Sequence, residues 1–192
     1  MAYNTTASLD KLSCTNYADF GKCQDKFGQF SWSKNDSNYL DAKLNVFKKD
    51  DNKEFWLVQN LSMGEADFNQ FLRLRNELVN AAENFAREEN LTPVLIPTMS
   101  RHMDEQLKLP HKVVDVVDRT NRKIRVTLLR YNVDKPESSY AQVRLFTRKK
   151  EDEKFQQVVY VNYKLEEFIY LLDVMNSVYD KVVTDQPICK IK

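Results

Sequence analysis

The sequence is poor in several residue types, and each shortage excludes a class of protein. Among 192 residues there are only 3 glycines and 5 prolines, too few for a low-complexity or disordered chain. The 3 cysteines cannot form a fully paired disulfide framework, and the polar stretch from Met1 to Asp10 lacks a signal-peptide core. No apolar run is long enough for a membrane-spanning helix. We therefore expect an intracellular protein, nuclear or cytoplasmic, without a membrane partner.

Motifs for chemistry are also missing. The sequence has no glycine-rich phosphate loop, no His-Glu-x-x-His and no nucleophile elbow. The only histidines are His102 and His111, and Cys14, Cys23 and His102 lack the spacing of a metal site. The sequence therefore predicts no catalytic residue, no metal and no cofactor, and we expect a protein that is not an enzyme.

The charge that is present is unevenly distributed. Hydrophobic residues make up 42% of the chain and aromatic residues 11%, enough for a packed core. The formal net charge is only +1, but ten basic and two acidic residues lie between Arg119 and Lys150. This segment carries +8, so the rest of the chain carries −7. A basic segment on an otherwise acidic chain indicates a local anionic partner.

The C-terminal half has the pattern of four strands followed by one helix. Alternation and β-branched residues predict strands at 113–117, 122–131, 141–149 and 155–163. The pattern then changes to three- and four-residue steps, which predicts a helix over 164–183. Its apolar face consists of Leu165, Phe168, Ile169, Leu172, Met175 and Tyr179.

The N-terminal half resembles a weaker copy of the same unit. Strands are predicted at 27–33, 42–49 and 54–61, and a helix at 66–88. Phe47 lies 99 positions before Phe146, and Phe55 lies 100 before Phe155. The sequence therefore predicts an α+β fold of two ββββα repeats about a pseudo-twofold axis, the first strand of the first repeat being the least defined. The expected organisation is an arm (1–26), a first unit (27–89), a proline-bearing connector (90–112) with a short helix at 99–107, a second unit (113–183) and a tail (184–192).

Strand alternation also sorts side chains between two faces of each predicted sheet. Ile124, Val126 and Leu128 are expected to face the core, as are Val143 and Leu145 in the next strand and Leu44 and Val46 in the first unit. The opposite faces then combine aromatic rings with cations, which is the composition that single-stranded nucleic acid requires. The candidate binding residues are Lys43, Phe47, Lys49, Lys123, Arg125, Tyr131, Arg144, Phe146 and Arg148.

Two successive ββββα units resemble the Whirly and Pur-alpha families of single-stranded nucleic-acid-binding proteins. The likeness covers residues 27–183 and rests on the basic-aromatic strands at 122–131, 142–149 and 43–49. The lysine-rich strand signature of the Whirly family and the glycine-rich character of Pur repeats are both absent. The resemblance implies binding of single strands on the sheet faces, with helices between the units.

The predicted function is binding of single-stranded DNA or RNA without catalysis. Lys43, Lys49, Lys123, Arg125, Arg144 and Arg148 would neutralise phosphates, and Phe47, Tyr131 and Phe146 would stack bases. Two alternatives stay open. Phe47 and Phe146 could lie against the partner unit while the cations form an ordinary solvated rim. The protein could also have a structural, assembly or regulatory role, of viral or mobile-element origin, in which its helices and tyrosines form a homo-oligomer or another protein interface.

Overall fold

The protein has an α+β fold with two main antiparallel sheets. The computed structural model describes residues 3–4, 16–20, 25–34, 37, 39–95, 108–151 and 153–180. Contacts divide the chain into a first unit, Met1–Arg73 with Tyr170–Lys192, and a second unit, Leu74–Ile169. The predicted short helix at 99–107, the predicted tail at 184–192 and the residues Cys14, Cys23 and His102 lie outside the described part of the chain.

The first unit contains a five-stranded sheet, here called the first sheet. Its spatial order is β1-β5-β4-β3-β2, and every pair is antiparallel. The strand β2 lies within the predicted N-terminal arm and supplies the strand that the sequence pattern left least defined. The strands are β1 (Tyr3–Asn4), β2 (Asn16–Phe20), β3 (Lys26–Lys34), β4 (Leu40–Lys49) and β5 (Phe55–Met63), followed by helix α1 (Glu65–Arg73).

The second unit contains a four-stranded antiparallel sheet, here called the second sheet. Its order is β11-β10-β9-β8, so β11 and β8 are its edge strands. A separate pair, β6 (Val94–Leu95) and β7 (Lys108–Leu109), precedes it. The remaining elements are helix α2 (Arg75–Arg87), β8 (His111–Asp118), β9 (Arg122–Arg130), β10 (Ser139–Thr147), β11 (Gln156–Lys164) and helix α3 (Leu165–Ser177), within which the division between the units falls.

One face of each sheet forms a core, and the residues on it are those that alternation predicted. Ile124, Val126 and Val143 are fully buried in the second sheet, as are Leu44 and Val46 in the first. In the first unit the rings of Phe30 and Phe68 stack with centroids 5.7 Å apart. Truncating such a buried ring to alanine typically costs about 3–5 kcal/mol of stability. The predicted α+β fold with two ββββα-like units is thereby confirmed.

A shared irregularity supports the internal repeat. The pairing of β4 with β5 shifts register between Val46 and Phe47, and that of β10 with β11 shifts between Leu145 and Phe146. These are the positions that the 99-residue offset equates. A β-bulge bends its strand and re-aims the side chains beside it. The five-stranded and the four-stranded sheet therefore share this feature of their backbones.

The helices differ from the predicted continuous segments. The pattern over 66–88 forms two helices because Leu74 leaves helical geometry, with φ −92° and ψ 4°. No proline or glycine marks this break in the sequence. At the start of α3, the Glu167 carboxylate accepts a hydrogen bond from the backbone N–H of Lys164 at 2.9 Å, which satisfies a free donor of the first turn.

The end of α2 is held by a buried arginine from the sheet of the same unit. Arg130 donates hydrogen bonds to the backbone carbonyls of Phe85 (2.7 Å), Ala86 (3.2 Å) and Glu88 (2.8 Å), and its Nε donates to Ser139 Oγ (2.9 Å). A cation at a helix C-terminus satisfies free carbonyls and complements the helix dipole. Arg130 therefore contributes to stability and is removed from the set of basic residues that could meet a ligand.

Candidate nucleic-acid interface

The outer face of the second sheet, opposite Val126 and Val143, has an arginine at its centre. Arg144 lies on β10, directly across from Arg125 of β9 and Tyr160 of β11. Only 8% of Arg144 is exposed. Because β10 is an interior strand, this guanidinium is within reach of side chains from both neighbouring strands.

Arg144 is fixed in place by a neutral side chain of its own strand. Its Nε and Nη2 both donate hydrogen bonds to Gln142 Oε1, the first at 3.0 Å. The amide nitrogen of Gln142 in turn donates to the hydroxyl of Tyr131 at 3.3 Å. The three side chains thus form a connected row that orients the guanidinium without neutralising it.

The positive charge of Arg144 is not balanced by any nearby group that the structure describes. Within the described residues, no carboxylate forms an ion pair with it. Burial lowers the pKa of Arg144, although a guanidinium stays protonated in proteins. Burying a charge without a counter-ion is unfavourable, and an anion arriving from solution would relieve that penalty. The centre of the outer face is therefore suited to an anionic ligand.

The other two predicted cations of this face are already paired. Arg125 donates to both carboxylate oxygens of Asp115, at 2.6 and 3.0 Å. Lys123 Nζ lies 3.7 Å from Asp115 and 3.2 Å from Asp118. Partial burial opposes ionisation of Asp115, but the hydrogen bond and charge of Arg125 outweigh it and hold the pKa of Asp115 below its ordinary value. These carboxylates leave Arg144 as the unmatched charge of the group.

Exposed tyrosines flank Arg144. Tyr131 is 49% exposed and Tyr160 is 42% exposed. The ring of Tyr131 also makes an edge-to-face contact with Tyr140, with centroids 5.5 Å apart. Burial of its hydroxyl end raises the pKa of Tyr131, so the phenol is neutral at physiological pH. An exposed neutral ring beside a cation offers a surface on which an unpaired base can stack.

The structure corrects the expected exposure of the two phenylalanines. Phe146 is fully buried and Phe47 is only 3% exposed, and each lies next to the register shift of its sheet. The guanidinium of Arg125 lies 6.0 Å from the Phe146 ring centre, and Phe27 stacks on Phe47 at 4.7 Å. Neither ring is accessible to a base in this conformation.

The remaining predicted residues are spread over other surfaces. Lys43 and Lys49 belong to the first sheet, where Lys43 pairs with Asp41 at 2.9 Å and Lys49 lies 5.2 Å from the Phe55 ring centre. Arg148 follows β10 and lies at the end of the second sheet. The structure therefore brings Lys123, Arg125, Tyr131, Arg144 and Phe146 together on one face, whereas Lys43, Phe47 and Lys49 belong to the other unit.

Three residues of this face were not among the predicted site residues. Gln142 orients Arg144, Tyr160 lies across from it, and Asp115 neutralises Arg125. The exposed position of Tyr160 is visible in the alternation of β11. The roles of Gln142 and Asp115 depend on which strands pair and in which register, which alternation within one strand does not reveal.

Features of other functional classes are few in the described part of the chain. No helix there is long and apolar enough to cross a membrane. Among the same residues, no three His, Cys, Asp or Glu side chains cluster in a way that could hold a metal ion.

No protein-family model and no curated protein matches the sequence. Among solved structures, the chain is similar to MRP1/MRP2 of Trypanosoma brucei, with 9% identity over 93% of this chain and 96% of that one and a TM-score of 0.33. It is also similar to WHY3 from Arabidopsis thaliana (11% identity, 88% and 89% coverage, TM-score 0.31) and to the plant transcriptional regulator PBF-2 (10%, 88% and 81%, 0.29). Whirly proteins are thus among the similar structures, as the strand pattern predicted. Likenesses this low contribute nothing to the functional argument, which depends on the side chains.

Proposed function

We propose that the outer face of the second sheet binds single-stranded nucleic acid and catalyses no reaction on it. The observation that carries this proposal is the buried, unneutralised guanidinium of Arg144, with the exposed Tyr160 directly across from it and the exposed Tyr131 hydrogen-bonded to the Gln142 that orients it. Cations and accessible rings at one place meet the two chemical requirements of a single strand, phosphates and unstacked bases.

A phosphate diester suits Arg144 better than a neutral ligand does. The guanidinium is oriented by Gln142, so less side-chain freedom is lost when an anion binds. Hydrogen bonds between arginine and phosphate are charge-assisted and roughly twice as strong as those between neutral groups. In this proposal Arg144 binds a backbone phosphate, while Arg125 and Lys123 add a positive field that Asp115 and Asp118 reduce.

The tyrosines favour a single strand over a duplex. In a duplex the bases are stacked on one another, so their faces are not available to protein rings. Tyr131 and Tyr160 present exposed ring surface near Arg144, and stacking on such rings tolerates any base. We therefore expect the protein to bind single strands with weak sequence preference. Such binding extends to DNA and RNA alike, because these contacts do not involve the 2′-hydroxyl.

Equilibrium binding tests this proposal most directly. Fluorescence polarisation would measure labelled single strands of about 16 nucleotides, and the matched duplex, at low and at physiological salt. Arg144→Gln is expected to weaken single-strand binding by about tenfold or more and to reduce the salt slope by about 0.7, the value for one phosphate contact of a single strand. Tyr160→Ala is expected to cost about 1–3 kcal/mol of binding free energy.

Matched controls come from the other unit. Tyr39→Ala removes an exposed tyrosine, and Lys43→Gln removes a lysine paired with Asp41; both should bind like wild type. Thermal melting checks that each variant is folded. Undetectable binding at low salt, or unchanged binding in both Arg144→Gln and Tyr160→Ala, would refute the proposal.

One observation favours a second function, protein assembly. β11 is an edge strand that carries no charged residue before Lys164, and it exposes Val158 beside Tyr160. Exposed edge strands with apolar side chains can pair with another chain. If wild-type protein binds no oligonucleotide but is an oligomer that Val158→Lys dissociates, the assembly function would replace the binding function.

A further inference from the structure

A cleft lies at the hairpin end of the second sheet, beyond the outer-face residues described above. It has a volume of about 560 Å³ and is open to solvent. It forms where β10 and β11 end, after their last paired residues Thr147 and Gln156. The described residues that line it are Thr147, Arg148, Lys149, Glu153, Lys154 and Gln156.

The lining of this cleft is predominantly cationic. Among the lining residues that the structure describes there are three basic side chains, Arg148, Lys149 and Lys154, and one carboxylate, that of Glu153. Lys149 and Lys154 are exposed, and neither forms an ion pair within the described residues. Exposed hairpin lysines are often merely solvated. Here they border a concave space, which raises the local potential for an anion.

The guanidinium of Arg148 lines the cleft and is held in place by its own contacts. Its guanidinium donates hydrogen bonds to the backbone carbonyls of Thr120 and, at 2.5 Å, Glu151. It also lies 4.7 Å from the centre of the Phe155 ring. Carbonyl and ring contacts hold the group in place without cancelling its charge, because none of these partners is a carboxylate. An anion entering the cleft would meet a preorganised cation rather than a mobile one.

The position of the cleft relates it to Arg144. Arg148 follows Arg144 by four residues of the same extended segment, and at about 3.3 Å per residue the two Cα atoms are roughly 13 Å apart along the strand direction. Between them Phe146 is buried, so no base can stack there. A ligand that reached both places would need two anionic groups joined by a flexible chain, which a single-stranded nucleic acid provides.

We infer that the cleft is a second phosphate subsite, occupied by the backbone of a single strand that runs along β10 from Arg144. This inference rests on the proposed function. It adds a path for the bound strand along β10 and two binding residues, Lys149 and Lys154. Short ligands would occupy the Arg144 site alone, and longer ones would reach the cleft.

The test compares a double variant with its counterpart in the first sheet. Lys149→Gln/Lys154→Gln removes the two exposed lysines of the cleft, and Lys48→Gln/Lys53→Gln, which should bind like wild type, makes the same change near the hairpin between β4 and β5. For single strands of about 16 nucleotides, the cleft variant should lose about tenfold in affinity and about 1.4 in salt slope, the value for two phosphate contacts. For a dinucleotide its affinity should equal that of wild type, whereas Arg144→Gln should weaken both ligands.

The outcomes separate this inference from the proposed function. If the cleft variant binds long strands like wild type while Arg144→Gln does not, the second subsite is refuted and the binding function stands. If wild type binds no oligonucleotide, both are refuted. Tripolyphosphate, measured by calorimetry, distinguishes the source of the phosphate. Binding of this probe that is lost in the cleft variant, without any oligonucleotide binding, would replace the strand path with a site for a free phosphate compound.

Discussion

The two sheets carry matching rows of four side chains on their outer faces, and the rows differ in charge. In the first sheet the row is Asp19, Gln29, Asn45 and Asn60; in the second it is Asp115, Arg125, Arg144 and Tyr160. Each member pairs with the next across neighbouring strands. The same backbone positions therefore hold a mostly neutral row in one sheet and a cationic row in the other.

The row of the first sheet satisfies its own polar groups. Gln29 donates to Asp19 at 2.9 Å, Asn45 donates to Gln29 at 3.3 Å, and Asn60 donates to Asn45 at 2.6 Å. Asn45 also donates to Ser31 Oγ at 3.0 Å. A buried polar network that is internally satisfied favours one arrangement of the sheet and has little need of a ligand.

The row of the second sheet also begins with an aspartate, but its next members differ from those of the first sheet. Asp115 matches Asp19 and binds Arg125, but the next member, Arg144, has a second positive charge in place of an amide. Like charges side by side repel, and burial increases the cost. The shared fold therefore sets the positions, whereas replacing the two central amides, Gln29 and Asn45, by the guanidinium groups of Arg125 and Arg144 leaves a positive charge that the row itself does not neutralise.

The second unit has two buried arginines, Arg130 and Arg144. Replacing Arg130, whose guanidinium is hydrogen-bonded to four acceptors, should have the larger effect on stability. Arg130→Ala removes four hydrogen bonds and leaves carbonyls at the end of α2 without a donor, so we expect a loss of about 3 kcal/mol of unfolding free energy. Urea denaturation measures it. Arg87→Ala, at an exposed position of the same helix, is the control and should stay within about 0.5 kcal/mol of wild type. An Arg130→Ala protein as stable as this control would contradict the capping role.

Exchanging the two central side chains tests whether the rows are interchangeable. Asn45→Arg should cost about 2–3 kcal/mol, because it breaks the amide network and buries a charge without a counter-ion. Arg144→Asn should cost less than about 1 kcal/mol, since Arg144 has a single acceptor to lose. Both values come from chemical denaturation, with Lys43→Arg as the control for adding a guanidinium to β4. Equal losses in the two exchanges would mean that the outer faces do not differ as described.

The stability of Arg144→Leu in the absence of ligand gives a sharper test of the same residue. Replacing a buried, unneutralised charge by an apolar side chain is often neutral or stabilising, so we expect no loss and a gain of up to about 1 kcal/mol. For a chain of this size that corresponds to roughly 2–4 °C in melting temperature. A single-stranded oligonucleotide should raise the melting temperature of wild type but not of the variant. A variant that melts far below wild type without ligand would show that Arg144 is a structural residue.

Much of the fold follows from local pattern, and much of the site does not. Alternation around Val126, Val143 and Leu44 is enough to define the core faces, because a strand buried on one side must repeat every second residue. The matched spacing of Phe47 and Phe146 indicates the repeat, yet both rings are buried beside register shifts that no residue type marks in the sequence. The break at Leu74 likewise has no glycine or proline to mark it.

The charge balance of the site could not be predicted from the local sequence pattern, for a different reason. Arg125 and Lys123 look like free cations in the sequence, and only the pairing of β8 with β9 places Asp115 against them. Arg144 and Arg125 have the same alternation within their strands, so nothing local distinguishes the neutralised one from the other. Sequence thus indicates which residues share a face, whereas register decides which charges remain.

Replacing Asp115 should change stability the least, and it tests whether strand register decides which charges on the outer face remain unneutralised. Its pKa is lowered relative to the ordinary value of 3.8, so its ion pairs stabilise the fold above that value, and the contribution is lost as pH falls through the lowered pKa. Asp115→Asn should therefore reduce stability near neutral pH by less than about 1 kcal/mol, and the difference from wild type should vanish in acid.

The same variant should also change binding. Without the Asp115 carboxylate, Arg125 and Lys123 should raise single-strand affinity a few-fold at low salt. Denaturation and polarisation titrations across pH measure both quantities, with Asp118→Asn, whose carboxylate is more exposed, expected to change each by less. Reduced affinity in Asp115→Asn would mean that this ion pair holds the binding face in shape rather than screening it.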